Sequence, residues 1–184
     1  MVINTAKPET SRRFNCAHEL MHFYLHPAGQ PYVCEPFRNR AHPYEYQANE
    51  GAAELLVPYR LFIPEIYTLG MTLAGGPLTE KLARRYGVSE TVIRYRIHGL
   101  SFEISQYING KTLRELRILS RDRYIREGGL WEEDADKCLK GILRKLSLLQ
   151  RRVPAAKTPR FDWEDYEEEL ARSGFYEPYY RRYY

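Results

Sequence analysis

A chain of 184 residues with 43% hydrophobic and 28% charged side chains is long enough to bury a core and ordinary in composition for a globular protein. It holds no apolar run near the ~20 residues a membrane span needs, and its start, "MVINTAKPETSRR", lacks the apolar centre of a secretory leader, so a cytoplasmic protein with no membrane contact is expected. Three scattered cysteines, Cys16, Cys34 and Cys138, exclude a disulfide framework or a cysteine-based metal site, and a net charge of +4 permits contact with nucleic acid without requiring it.

Residues 13 to 26 predict a helix, because Phe14, Ala17, Met21 and Leu25 recur at helical spacing and Pro27 stops it. The following "PAGQPYVCEPFRNRAHPYE" reads as a surface loop holding one short strand around Tyr32 to Cys34. A second helix is expected from about Tyr44 to Leu56, ending before Pro58. "GMTLAGGPLTEK" breaks into a new unit, with a boundary near Gly76. Beyond it, "LTEKLARRYGVSETVIRYRIHGL" carries two short helical patterns around "YGVSE", with Ser89 as N-cap of the second, the shape of a helix-turn-helix. Further on, Cys138, Ile142, Leu146 and Leu149, flanked by Leu139 and Leu143, form the stripe of a packing helix. The tail "FDWEDYEEELARSGFYEPYYRRYY" joins an acidic amphipathic segment to a run of tyrosine and arginine, and no internal repeat occurs.

The chemistry concentrates in "FNCAHELMHFYLH". His18, Glu19 and His22 make an HExxH motif. On a helix, positions i and i+4 share a face one turn apart, so both imidazoles reach one ion, while a glutamate beside the first ligand can take a proton from water. His26 lies eight residues from His18, roughly 12 Å along a continuous helix, too far for a ligand shell about 2 Å in radius. The pattern HExxHxxGxxH is excluded as well, since positions 25 and 28 hold Leu25 and Ala28. A third ligand must therefore come from elsewhere. In "YEYQANEGAAELLVP" the candidates are Glu45, Glu50 and Glu54. At 100° per residue Ala48, Asn49, Ala52 and Leu56 fall within about 60° of Glu45, whereas Glu54 points the opposite way. Glu45 thus shares a face with small residues that let a second helix approach, and is selected as ligand. Asn49 is expected to hydrogen-bond a ligand histidine from behind, and Glu54 to be a solvated or capping group.

"RRFNCAHELMHFYLH" followed by "YEYQANEGAAELLVP" resembles the ImmA/IrrE family of zinc metallopeptidases, whose hallmark is an HExxH helix with a later ExxxN helix ending in AAELLxP. The resemblance runs over roughly residues 2 to 100. It implies an α+β, predominantly helical fold: a reduced thermolysin-like (gluzincin) core over residues 1–76 and a helix-turn-helix-like segment over 77–104; beyond the resemblance, a helical C-terminal extension is expected over 105–184. It further implies Zn2+ held by His18, His22 and Glu45, with Glu19 as proton acceptor and later donor. The substrate it implies is a protein, a helix-turn-helix repressor whose cleavage induces genes of a mobile element or stress response. Family members carry a further helix and strands ahead of the motif, where this chain has about a dozen residues with "VINTA" as one surviving strand. A lost edge strand would leave a metal site with a poorer track for substrate backbone.

Residues 78–100 hold five basic and two acidic side chains, a local excess of +3. Arg94 and Arg96 are the side chains expected near a major groove, or against a protein substrate, if this segment makes contact. The competing reading is a DNA-binding regulator with a structural or vestigial zinc site.

Overall fold

The computed structural model describes residues 6–26, 43–72 and 78–151. Eight helices run through them: α1 (Glu9–Leu25), α2 (Pro43–Leu56), α3 (Tyr59–Thr72), α4 (Leu78–Tyr86), α5 (Glu90–Gly99), α6 (Ser101–Ile108), α7 (Arg121–Arg126) and α8 (Ala135–Gln150), with a short 3-10 turn at Leu113–Glu115. The fold is predominantly helical, and no strand occurs among the described residues. Apart from Ala6, the strands expected in "VINTA" and around Tyr32 to Cys34 lie outside them, as does the tail beyond residue 151. No described helix is long and apolar enough to cross a membrane.

The first two helices pair as a hairpin. Their seam is built from small side chains: Ala17 on α1 is buried, and Ala48 and Ala52 on α2 are fully so. At Gly51 a Cβ would lie 2.7 Å from Sδ of Met21, so a side chain there would displace the methionine that fills this part of the seam. Pro8 precedes the first turn of α1, where a missing N–H costs nothing, and Glu9 stands at its positive end. At the other end His26 leaves helical geometry with ψ 141° while its N–H still bonds to the carbonyl of His22.

Large aliphatic and aromatic residues form a second packing unit. Phe62, Ile63 and Ile66 of α3 are fully buried with Leu82, Ile93, Ile97 and Leu146, and one cluster joins α3, α4, α5, α6 and α8. Packing thus groups α3 with the helices that follow it, whereas the sequence division near Gly76 assigned it to the metal-binding part. The segment "VPYRLFIPEIYTL" is apolar enough to serve either neighbour, and the fully buried Val57 is where the chain enters the larger core.

Local signals set the turns. Gly87 adopts φ 61°, a left-handed conformation natural to glycine, and Ser89 caps α5 by accepting from the N–H of Val92. Asp134 caps α8 through the N–H groups of Asp136 and Lys137. The expected α8 stripe is in place, with Cys138, Ile142 and Leu146 buried and Leu139, Leu143 and Leu149 packed beside them.

Polar ties cross from the hairpin to the core. Arg13 of α1 donates to the carbonyl of Gly87 at 3.2 Å. Arg96 of α5 donates to the carbonyl of Val57 at 3.1 Å and pairs with Glu54 of α2, with Glu50 at 3.9 Å.

Candidate metal centre

The hairpin brings three of the expected side chains to one point. Nε2 of His18 and Nε2 of His22, one turn apart on α1, are 3.0 Å from each other. Glu45, in the first turn of α2, reaches both: Oε2 is 3.3 Å from Nε2 of His18, and Oε1 is 3.3 Å from Nε2 of His22. Ligand atoms bound tetrahedrally to one zinc at about 2.0–2.1 Å stand about 3.3–3.4 Å apart, so this triangle already has the dimensions of a coordination set. Among the described residues, these three form a group of the kind able to hold a metal ion.

The electrostatics agree with the geometry. Burial and the neighbouring His18 lower the pKa of His22 below the usual imidazole value, against the pull of the Glu45 carboxylate. A neutral ring is the form with a lone pair to give. Two imidazole nitrogens and one carboxylate oxygen are also the donor set zinc takes at three-residue sites. Glu19 is half-buried beside His18, and its carboxylate makes no hydrogen bond or ion pair among the described residues.

Behind the ligands the picture departs from expectation. Asn49 is half-buried one turn beyond Glu45, yet neither ligand histidine bonds to it among the described residues. Nδ1 of His18 is buried without a partner there. Nδ1 of His22 lies 2.9 Å from Nδ1 of His26 instead. His26 is 6% exposed, its ring stacks on Tyr44 with centroids 4.3 Å apart, and its Nε2 lies 3.2 Å from Oε1 of Gln47. His26 lies outside the group formed by His18, His22 and Glu45. Its contact with the back of His22 was missed, although the i, i+4 spacing that pairs His18 with His22 pairs His22 with His26 too.

Arg96 requires a correction. Expected near a nucleic-acid groove, it is 6% exposed and its guanidinium is used on Val57, Glu54 and Glu50. Position 96 lies three residues after the buried Ile93, and so on the packing face of α5. Glu54 does act as a cap, accepting from the N–H of Tyr59 at the start of α3. Arg94 is half exposed and faces carboxylates on two sides, Asp136 at 3.6 Å and Glu90 at 4.0 Å. Arg84 pairs with Glu80 at 2.7 Å and Arg85 with Glu65 at 2.8 Å. Every arginine between residues 78 and 100 therefore has an internal acidic partner.

Comparison with known proteins identifies the family. Residues 1–98 match the model of the IrrE N-terminal-like domain, a peptidase family. The chain is similar to the "uncharacterized immunity region protein 2" of Bacillus phage phi105, with 42% identity over 59 residues, 32% of this chain and 37% of that protein. The chain thus spans little more than a third of that curated relative. No solved structure matches it. With more than half of its residues matched, and a histidine pair and a glutamate gathered as this kind of centre needs, the chain belongs to the IrrE N-terminal-like domain family of peptidases.

Proposed function

We propose that this protein is a zinc-dependent endopeptidase acting in the cytoplasm on a protein substrate. The observation that carries this reading is the triangle of His18, His22 and Glu45, with sides of 3.0 to 3.3 Å. These residues would hold Zn2+, which when bound supplies Lewis acidity toward water and the scissile carbonyl. Glu19 takes a proton from the attacking water on its carboxylate and returns it to the leaving amine. Its lack of a competing ion pair leaves that carboxylate available for the exchange. Asn49, one turn from Glu45, would support a ligand histidine from behind.

The proposed substrate is a helix-turn-helix repressor whose cleavage induces genes of a mobile element or a stress response. Similarity to a phage protein named for its immunity region supports that setting. A DNA-binding regulator with a structural or vestigial zinc site gains less support, because the arginines of residues 78–100 are engaged by this chain's own carboxylates.

The test is metal content together with cleavage of a repressor encoded beside the gene. Wild type should bind one equivalent of zinc and cut, whereas Glu19→Gln should keep the metal and lose about a hundredfold or more in rate. Full biological output from Glu19→Gln would sink the peptidase reading and favour the regulator.

A further inference from the structure

We propose that His26 and Gln47 form a positioning chain that fixes the tautomer and aim of the ligand His22. This inference rests on the metal-site reading and deepens it. Nε2 of His22 faces Glu45 and His18. For that nitrogen to offer its lone pair, the neutral ring must carry its proton on Nδ1. The Nδ1–H lies 2.9 Å from Nδ1 of His26, which must then be bare to accept it, so a neutral His26 carries its own proton on Nε2. Nε2 of His26 is 3.2 Å from Oε1 of Gln47, a carbonyl acceptor. Each assignment forces the next, and the chain ends on α2 two residues from Glu45.

Reversing the chain would place the proton of His22 on Nε2 and remove the lone pair from the site. It would also require the Gln47 amide to present its NH2 group to His26. The orientation of one side-chain amide is thereby coupled to the metal-competent form of a ligand. Two further features suit His26 to this role. Burial shields its contact with His22 from water, and the stack on Tyr44, inclined at 29°, fixes the plane of its ring. The departure of α1 from helical geometry at this residue comes at the same point.

The experiment measures Zn2+ affinity by chelator competition, and the visible spectrum of the Co2+-loaded form, on the full chain. His26→Phe keeps an aromatic ring for Tyr44 but has no acceptor, and should weaken zinc binding about 10- to 100-fold and alter the Co2+ spectrum. His26→Asn places a carbonyl oxygen near the position of Nδ1 and should recover most of the loss. Gln47→Ala should cost about three- to tenfold alone and add almost nothing to His26→Phe, as expected of links in one chain. An affinity for His26→Phe within twofold of wild type overturns the proposal. So does a His26→Asn variant no better than His26→Phe, since that outcome assigns His26 a packing role only. A wild type that takes up neither ion overturns the metal-site reading itself, whereas a metal-binding wild type with unaffected His26 variants overturns this inference alone.

Discussion

The α1–α2 hairpin and the α3–α8 core solve the packing problem with different side chains. The core buries Phe62, Ile63, Ile66, Leu82, Ile93, Ile97 and Leu146 almost completely, and each such side chain contributes about 1.5–3 kcal/mol when taken from water. In the hairpin, the buried apolar residues are Ala17, Ala48 and Ala52, and beside them lie two buried histidines, His22 and His26. Some of its large aromatic side chains face outward, Phe23 at 78% and Tyr24 at 71% exposure. The hairpin is thus packed around polar groups, while the core buries most of the large apolar side chains. The candidate metal centre lies on the less apolar part of the molecule because converging imidazoles and a carboxylate occupy the seam that aliphatic side chains would otherwise fill.

Substitutions that strike one region and spare the other sharpen this contrast. The largest effect is expected from Leu82→Ala, which opens a cavity in the fully packed core and should lower stability by about 2–5 kcal/mol. Zinc affinity of the protein that remains folded should stay within twofold. If denaturant titration and metal titration fall together, the two regions are not separable. Next comes Arg96→Met, at the joint. It strips Glu54 of its cation and leaves the carbonyl of Val57 without its donor, costing about 1–3 kcal/mol, discounted because Glu54 is partly exposed. Glu54 shares α2 with Glu45, so this variant should also weaken zinc binding, and an unchanged affinity would show that the joint does not carry geometry across.

The smallest effect has the opposite sign. Glu103 on α6 is 1% exposed, and burial pushes its carboxyl above the ordinary carboxylate range, although the N–H of Leu119 donates to Oε1. A folded-state value raised above the unfolded one means the folded protein holds the proton longer. Stability from this group is therefore highest below the unfolded carboxylate value and declines as pH rises from there toward the folded value. Glu103→Gln should melt a few degrees higher than wild type at neutral pH, and the advantage should vanish near pH 4. Melting curves that keep the same gap at both pH values would count against this account.

Much of the site was legible because helical geometry is regular. His18 and His22 follow from their spacing, and Glu45 from sharing a face with Ala48 and Ala52, which are indeed the buried seam. Ser89 and the α8 stripe were readable for the same reason, since caps and periodicity are local properties. What escaped depended on contacts between elements. The ring of His26 meets Tyr44 and Gln47 only once α2 is folded against α1. Arg96 looked like surface charge until the backbone of Val57 and the carboxylates of α2 surrounded it. The allegiance of α3 is likewise decided by the core it joins and not by its own composition.

The alanine and glycine seam has a consequence for which ions the site admits. With Met21 lying against Gly51, and Ala17, Ala48 and Ala52 buried in the seam, little side-chain bulk separates α1 from α2, and the three donor groups stand 3.0 to 3.3 Å apart. That spacing matches an ion with bonds near 2.0 Å, whereas one that prefers 2.3–2.6 Å, such as calcium, would need the donors further apart. Selection by size would then rest on how closely the small residues of the seam let the two helices pack.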